Sequence, residues 1–312
     1  YRQSLMVLNE YAASLARASL KDVQDGEYLF SDVLDDDGQG HRDIQIQVRV
    51  VVENGKVIID FDGTADQVAG NINCPLSVTA AAVYYVFRCL MPAQTPACAG
   101  SFRHIDIIAP SESVINASYP AAVAAGNVET STRIVDVVLG ALSQALPDRI
   151  PAASHGSMNN LAMGYQGDEQ HKAWDYYETI GGGMGASESS GGLDGVQTHM
   201  TNTLNTPVEA LEMNYPVRIS RYQLRTDSAG GGRHRGGEGL VREYEFLSPA
   251  QVTILSERRS HSPWGRAGGN PARCGENRRN DELLDGKVSM HVKKGDVLTV
   301  RTPGGGGYGK AG

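Results

Sequence analysis

Length, composition and charge exclude several classes of protein before any motif is considered. The 312 residues are enough for a large buried core in one domain or two, and a formal net charge of -8 disfavours binding to nucleic-acid phosphates. No apolar run approaches the roughly 20 residues that span a bilayer, and no signal-peptide pattern opens the chain, so we expect a cytoplasmic protein without a membrane partner.

The first half of the chain predicts a mixture of helices and strands. Apolar residues at helical spacing predict an amphipathic helix over residues 3–20. Alternating residues at 44–50 and an apolar run at 57–61 flank Asn54 and Gly55, and this pattern predicts a β-hairpin. The remaining predictions are a turn at 35–38, a buried helix at 76–91, a strand at 102–108 and a helix at 128–146.

The second half predicts short strands separated by glycine-rich turns. Glycine supplies 37 of the 312 residues without a repeat period, which favours tight turns over a solenoid. Strands are predicted near residues 158–164, 173–180, 215–225, 240–247, 251–256 and 296–301. We therefore expect an α+β, β-rich fold with an N-terminal helix, a mixed first half, a strand- and glycine-rich second half, and a possible boundary near residue 150.

Three polar strings stand out from this pattern: GNVETS at 126–131, YYETIGGG at 176–183 and HMTNTLNTPVE at 199–209. Asn, Thr and Glu need hydrogen-bond partners when buried, so the clusters suggest a polar concavity. The first string lies at a predicted helix N-terminus, where backbone N–H groups favour an anion or polar ligand. The same residue types also cap helices and fix turns, which is the alternative for any one of them.

Other kinds of site have weaker support. No Gly-x-Ser-x-Gly motif is present, and His155 near Ser157 is the closest approach to a nucleophile and base, although a histidine in a loop is more often structural. Neither the eight histidines nor the four cysteines show metal-ligand spacing. Basic, glycine-rich residues at 225–237 and 257–259 fit either an anion site or an interface, and the glycine-rich residues 302–309 fit either a flexible or tightly turned end or the lining of a site.

The polar strings and their order resemble the hydantoinase B/oxoprolinase family. The resemblance runs from about Asp25 to Gly309 and is specific, because several long strings occur in the same order. The matching strings are FDGT at 61–64, GNVETS at 126–131, YETIGGG at 177–183, MTNT at 200–203 continuing to Glu209, RGGEG at 235–239, SERR at 256–259 and the end of the chain at 302–309.

This resemblance implies a subunit, or the C-terminal part, of an ATP-dependent hydrolase that opens a small cyclic amide such as 5-oxoproline or a hydantoin. It implies a hetero-oligomer in which a hydantoinase A-type, actin-like ATPase subunit or domain phosphorylates the substrate. The B-type part then completes the reaction at a divalent metal ion, since a phosphate ester is a better leaving group than a lactam oxygen. Two alternatives remain open: a subunit of a related ATP-dependent ketone carboxylase that uses bicarbonate, and a non-catalytic scaffold.

One departure from the family pattern limits what this chain is expected to do. Family members carry metal ligands in an N-terminal segment with a Gly-Gly-Thr-His-Leu-Pro-Asp-like stretch, and nothing here corresponds to it. The chain also begins at Tyr1, so we expect residues 1–312 to be the C-terminal portion of a hydantoinase B-type domain, inactive alone and without assigned metal ligands. The motif match implies catalytic roles for Asn127, Glu129, Thr130, His155 and Glu178, and substrate binding by Asn159, Thr201, Asn202 and Asn205.

Overall fold

The structure is a computed structural model that describes residues 1–21, 23–169 and 172–312. The chain divides into two compact units. Unit 1 consists of residues Tyr1–Val33 and Ile44–Ile150, and unit 2 consists of Leu34–Asp43 and Pro151–Gly312. Across the described ranges there are four α-helices and thirteen strands in three sheets, which confirms the α+β, β-rich fold and its N-terminal helix.

Unit 1 combines three helices with most of a four-stranded sheet in the order β1-β2-β3-β4. Its elements are α1 (Arg2–Leu20), β1 (Gly26–Asp36), β2 (Arg42–Glu53), β3 (Lys56–Asp60), α2 (Leu76–Leu90), a 3₁₀ turn (Ala99–Phe102), β4 (Ile105–Ile108) and α3 (Ser131–Ala145). The residues of β1 and β2 nearest their connection belong to unit 2. Strand β4 pairs with β3 in parallel, whereas β2 and β3 are antiparallel.

The hairpin between β2 and β3 follows directly from its turn residues. Asn54 and Gly55 both have positive φ, at 52° and 75°, as a two-residue type I′ turn requires. Glu53 pairs with Lys56, so the predicted hairpin is confirmed. Strand β1 escaped prediction because its acidic residues, including Asp35 and Asp36 in the predicted turn, are uncommon in strands.

Helix α3 is the most deeply buried element of unit 1. All side chains from Ser131 to Ser143 are buried, including those of Arg133 and Asp136. A π-helical turn, Gly126–Thr130, precedes the helix, and such turns are frequent at functional sites. The first polar string therefore enters α3 as predicted, through a wider turn than an ordinary helix start.

Unit 2 packs two sheets face to face. The four-stranded sheet has the order β12-β9-β5-β6 and the five-stranded sheet has the order β11-β10-β13-β8-β7. The elements are β5 (Asn160–Tyr165), β6 (Trp174–Glu178), α4 (Val208–Asn214), β7 (Val217–Arg225), β8 (Gly239–Phe246), β9 (Ala250–Leu255), β10 (Glu276–Arg279), β11 (Glu282–Leu284), β12 (Lys287–Val292) and β13 (Val297–Arg301). Leu161 and Ile254 from one sheet join Tyr244 and Phe246 from the other in one hydrophobic cluster.

All six strands predicted in the second half are present in unit 2. Helix α4 and strands β10, β11 and β12 were not predicted. Helix α4 and strands β10 and β11 are short and rich in charged residues, so they carry little periodic signal. Strand β12 does alternate, with Val288, Met290 and Val292 at every second position, and this signal was overlooked.

Glycine-rich segments form a closely packed layer in unit 2, and we call residues 181–185, 230–239 and 302–309 the glycine layer. Its backbones hydrogen-bond directly: the Gly183 N–H donates to Pro303 O at 3.0 Å, and the Gly305 N–H donates to Gly237 O at 2.9 Å. A Cβ atom built on Gly183 would lie 2.0 Å from Gly237 O. Residues 302–309 are all buried, which disagrees with a flexible end and leaves a tightly turned end or the lining of a site as the open interpretations.

Among the described residues, no helix combines the length and apolar character needed to cross a membrane.

Candidate functional site

The first polar string places its three predicted site residues in different environments within unit 1. Asn127 is exposed at the π-helical turn, whereas Glu129 and Thr130 are fully buried. The Thr130 hydroxyl donates to the carbonyl of Ile72 in a short hydrogen bond, which gives this side chain a structural anchor. Asn127 is therefore the member of the string that a ligand could reach from solvent.

Glu129, in the π-helical turn, is the first of three buried charged residues, and the other two lie in α3. Arg133 and Asp136 follow at helical spacing, and Arg133 Nη1 lies 3.1 Å from Asp136 Oδ2 and 3.2 Å from Asp32 Oδ2. Burial raises the pKa of Asp136 to about 7, and Asp32 adds to the rise while Arg133 opposes it. Sequence inspection missed Arg133 and Asp136, although charged residues within a helix of otherwise apolar character were an available signal.

The second polar string places Glu178 at the centre of a hydrogen-bonded cluster in unit 2. Its carboxylate accepts two hydrogen bonds from Arg242, with Nε at 2.9 Å from Oε1 and Nη2 at 3.2 Å from Oε2. Tyr176 and Asn205 each donate to Oε2 at 2.9 Å, and the Tyr244 hydroxyl makes a short hydrogen bond to Oε1. We call these five residues the Glu178 cluster.

The Glu178 cluster joins two polar strings that are separate in sequence. Glu178 and Asn205, both predicted as site residues, are directly bonded, whereas Tyr176, Arg242 and Tyr244 were missed. Tyr176 precedes Glu178 by two residues on β6, and Arg242 precedes Tyr244 by two residues on β8. Residues two apart in a strand point to the same face, so each pair lies on one face of its sheet. Arg242 is fully buried, which requires a charge partner, and Glu178 is that partner.

Residues 198–207, here called the threonine loop, carry the third polar string. Asn205 Nδ2 also donates to the Thr179 carbonyl at 2.9 Å, and Thr179 and Thr203 share a short hydroxyl contact. Thr201 is buried and closes a local turn with Thr198, whose carbonyl accepts from its hydroxyl at 2.6 Å. Asn202 is exposed, so within this loop it is the predicted site residue open to a ligand.

His155 and Asn159 lie on one buried segment beside the Glu178 string. Asn159 Nδ2 donates to the Ile180 carbonyl at 2.9 Å, and Arg259 Nη1 donates to Asn159 Oδ1 at 2.8 Å. Asn159 has a φ of 48°, a left-handed conformation that asparagine tolerates better than most residues. Its side chain therefore links the Ile180 backbone to Arg259 of the SERR string and has a structural role within unit 2.

The environment of His155 makes it a neutral imidazole at physiological pH. The pKa of His155 is lowered to about 3, mainly by burial and in smaller part by the nearby His199 and Arg259, while hydrogen bonding to the backbone of Ser157 and Val196 opposes the shift. Loss of solvation also lowers the pKa of His199 to about 4. His155 is therefore a poor proton acceptor near pH 7, and its sequence-predicted catalytic role has to be compatible with an uncharged ring.

We expect acid to destabilise unit 2 through these two histidines. Their folded-state pKa values lie below the ordinary value of 6.5, so the unfolded chain binds more protons between pH 6.5 and about 3. The free energy of unfolding should fall with decreasing pH across that window, by up to about 1.4 kcal/mol per pH unit for each histidine.

Denaturant titrations at several pH values would measure this slope for the chain and for His155→Gln. The variant should have a shallower slope, whereas His291→Gln, on the exposed surface of β12, should keep the slope of the parent chain. An identical slope for the parent chain and His155→Gln would contradict the prediction.

The basic, glycine-rich loop at 225–237 surrounds a carboxylate of the protein, that of Glu238. Glu238 accepts hydrogen bonds from three successive backbone N–H groups, those of Asp227, Ser228 and Ala229, at 2.7–3.0 Å. Arg235 also contacts the Glu238 carboxylate. The loop thus forms an anion-binding nest that an internal carboxylate occupies, and the alternative of an interface stays a prediction.

Neither the cavity at the end of β5 and β6 nor any group of metal ligands among the described residues coincides with these clusters. This cavity of about 870 Å³ is lined by Tyr165, Trp174 and His291 among others, and by none of the predicted site residues. In the part of the chain that the structure describes, no group of three or more His, Cys, Asp or Glu side chains is placed to hold a metal ion. These described residues therefore do not by themselves fit a divalent metal site.

The fold and the polar strings define a recognised family. The chain matches the family described as Hydantoinase B/oxoprolinase over residues 1–311. It belongs to this family, as the strings indicated, and its curated relatives include 5-oxoprolinases and a putative hydantoinase of the B type.

Two relatives show the range of this similarity. The 5-oxoprolinase 1 of Arabidopsis thaliana is 44% identical over 270 residues, covering 85% of this chain and 20% of the relative. The putative B-type component of a D-/L-hydantoinase from Pseudomonas sp. (strain NS671) is 30% identical over 320 residues, covering 97% of this chain and 53% of the relative. The chain thus spans between about a fifth and about half of these relatives.

Two solved structures share the fold. The ATP-dependent caprolactamase from Pseudomonas jessenii superposes with a TM-score of 0.83 at 26% identity, over 99% of this chain and 56% of that chain. An acetone carboxylase has a TM-score of 0.80 at 14% identity, over 96% of this chain and 47% of that chain. The second likeness is one of fold alone.

Proposed function

We propose that this chain is the C-terminal part of an ATP-dependent hydrolase that opens a small cyclic amide, with 5-oxoproline or a hydantoin as substrate. The observation that carries the proposal is the 44% identity to a 5-oxoprolinase over 85% of the chain. The hydantoinase and the caprolactamase are likewise named for cyclic amides, so all three proteins are named for compounds that contain a ring amide bond.

The exposed amide of Asn202 is the group in unit 2 that we assign to substrate binding. Asn202 lies in the threonine loop and offers a donor and an acceptor to solvent. Each amide group of a cyclic amide presents a carbonyl acceptor and an N–H donor, which an asparagine side chain can match. The buried Asn159 and Thr201 of the same unit would support the residue that makes contact.

His155 would act without exchanging a proton near pH 7, and Glu178 would act as a fixed hydrogen-bond acceptor. The Glu178 carboxylate accepts five hydrogen bonds from four side chains, which hold it in one orientation. His155 is neutral for the reasons given above. We therefore assign both residues to positioning the groups around them, with His155 in its neutral form.

ATP and a divalent metal ion enter this proposal through other parts of the enzyme. We expect a hydantoinase A-type, actin-like ATPase subunit or domain to use ATP, in keeping with the ATP-dependent caprolactamase of which this chain spans 56%. Because the described residues do not fit a metal site, we expect the metal ligands on the N-terminal segment that family members carry. No step is assigned to the metal here.

The test is an ATP-dependent ring-opening assay on the full-length protein co-purified with its ATPase partner. The substrates are 5-oxoproline and hydantoin, each with and without bicarbonate, and acetone with bicarbonate. We expect ring-opened product from a cyclic amide without bicarbonate. Turnover of acetone with bicarbonate, and of neither cyclic amide, would assign the chain to the ketone carboxylases instead.

A matched variant separates catalysis from a scaffold role. Asn202→Ala should raise KM for the cyclic amide because it removes an exposed amide without disturbing a buried contact. A scaffold role predicts weaker co-purification of the ATPase partner and unchanged KM and kcat in the assembled complex.

A further inference from the structure

Tyr222 connects the Glu178 cluster to the threonine loop, although no polar string contains it. Its hydroxyl donates to Asn205 Oδ1 at 3.1 Å, and the Arg242 guanidinium carbon lies 4.3 Å from the centre of its ring. The ring thus packs against the fully buried Arg242 guanidinium, while the hydroxyl contacts the threonine loop.

An irregularity in β7 places Tyr222 in this position. Ile219 pairs with Tyr244, but the register then shifts so that Arg221 pairs with Glu243 and Tyr222 with Arg242. If the register continued from Ile219 without this shift, Ser220 would oppose Glu243, Arg221 would oppose Arg242, and Tyr222 would oppose Val241 on the other face of the sheet. The β-bulge therefore exchanges an arginine for a tyrosine opposite the buried Arg242 and avoids two adjacent like charges.

Asn205 can satisfy this network in one orientation only. Its two N–H groups point to Glu178 Oε2 and to the Thr179 carbonyl, each at 2.9 Å, while its oxygen accepts from Tyr222. Exchanging the amide oxygen and nitrogen would place an oxygen against a carboxylate and a carbonyl. Tyr222 supplies the third contact, so it completes the set of bonds that fixes Asn205 and the loop around it.

From these contacts, the geometry points to Tyr222 as a positioning residue for the substrate-binding loop. It acts through Asn205 to hold the threonine loop over the end of β6, with Asn202 presented to the substrate. This inference rests on the proposed function for its kinetic consequence, whereas the hold on the loop stands on the contacts alone. Bulged edge strands commonly direct a side chain beside an active site, and β7 is an edge strand of its sheet.

The test compares Tyr222→Phe and Asn205→Ala in the full-length protein with its ATPase partner. Tyr222→Phe keeps the ring over Arg242 and removes the hydrogen bond to Asn205, so KM for the cyclic amide should rise about fivefold with kcat nearly unchanged. The double variant should be no worse than Asn205→Ala, because both changes break the same bond. Additive effects, or a fall in kcat with unchanged KM, would overturn the inference.

Tyr177→Phe is the matched control. Its hydroxyl also donates to an asparagine oxygen, Asn160 Oδ1 at 2.6 Å, but Tyr177 points to the opposite face of β6 from Glu178. We expect KM to stay at the wild-type value in this variant. An equal rise in KM for Tyr177→Phe would show that the effect is general to unit 2.

Hydrogen exchange of the threonine-loop amides gives a readout that needs no activity. Exchange should be faster in Tyr222→Phe and Asn205→Ala than in wild type, and unchanged in Tyr177→Phe. Unchanged exchange in Tyr222→Phe would overturn the inference whatever the enzyme acts on. Absence of cyclic-amide turnover in the wild-type complex would instead count against the proposed function, and the exchange result would still decide whether Tyr222 holds the loop.

Discussion

Replacing Glu178 with alanine is expected to destabilise unit 2 by about 3–5 kcal/mol, because it leaves the Arg242 charge buried without its partner. The Arg242 side chain has no exposed surface, so solvent cannot take over the lost contact. Tyr176, Tyr244 and Asn205 lose an acceptor in the same substitution. An unsatisfied buried donor adds its own desolvation cost, so the loss should exceed that of a single hydrogen bond.

Chemical denaturation of the chain would measure this loss of unfolding free energy. The transition can be monitored by the fluorescence of Trp174 and Trp264, which both belong to unit 2. Glu245→Ala is the control, since this glutamate pairs with Arg218 at 3.3 Å in a position where the arginine side chain is 59% exposed. An exposed pair of this kind is worth about 0–1 kcal/mol. Equal midpoints for Glu178→Ala and Glu245→Ala would refute the buried-pair argument.

A double variant tests whether the cost comes from the unpaired charge. Combining Glu178→Leu with Arg242→Met removes both charges and keeps apolar volume, so it should recover part of the stability lost in Glu178→Ala. In the ring-opening assay on the full-length protein, turnover by the double variant should still be lower than wild type, because Asn205 has lost its carboxylate partner and the threonine loop is held less firmly. The double variant thus separates two roles of the Glu178 cluster, because it restores part of the stability of unit 2 without restoring the contact that positions the threonine loop.

The elements that sequence predicted well are those whose signal is local. The β2–β3 hairpin depends on two turn residues, and α1 and α3 depend on apolar residues at helical spacing, so a short window contains the information. The missed strand β1 carries acidic residues whose partners are distant in sequence. Asp35, for example, accepts backbone N–H bonds from Arg259 and Ser260, which lie more than 220 positions away.

The candidate site shows the same limit more sharply. The polar strings marked Glu178 and Asn205, but the residues that explain them lie on strands that looked like ordinary alternating sequence. Arg242 is charged and fully buried, and the alternation of β8 places it on the same face as Tyr244 and Phe246, but nothing in the local sequence identifies Glu178 as its partner. Tyr222 depends on a register shift at Ser220, and such a shift arises from pairing and not from propensity.

The strings also mix residues that hold the fold with residues that face solvent. Within MTNT, Thr201 closes a buried turn and Asn202 is exposed, yet the two are neighbours in sequence. Within GNVETS, Asn127 is exposed and Thr130 is anchored to Ile72. A motif therefore marks a region, while burial and hydrogen-bond partners decide which of its side chains can meet a substrate.

Gly183→Ala is expected to disrupt the glycine layer and cost about 3 kcal/mol or more, at the upper end of overpacking effects. The added Cβ would lie 2.0 Å from Gly237 O and 2.3 Å from Gly305 N, both of them backbone atoms. Neither atom can rotate away as a side chain could, so three hydrogen-bonded segments must move apart. Gly183 directly follows the YETIGG residues, so the displacement should reach the end of β6 and Glu178.

Gly231→Ala provides the control, because it changes the same residue type within the same layer. Its nearest atom to an added Cβ is Asn270 Nδ2 at 3.5 Å, an ordinary van der Waals distance. We expect its denaturation midpoint to stay close to that of the parent chain, whereas that of Gly183→Ala falls steeply. Similar midpoints for the two variants would mean that the segments tolerate a side chain, and the glycines of this layer would then need an explanation other than close backbone packing.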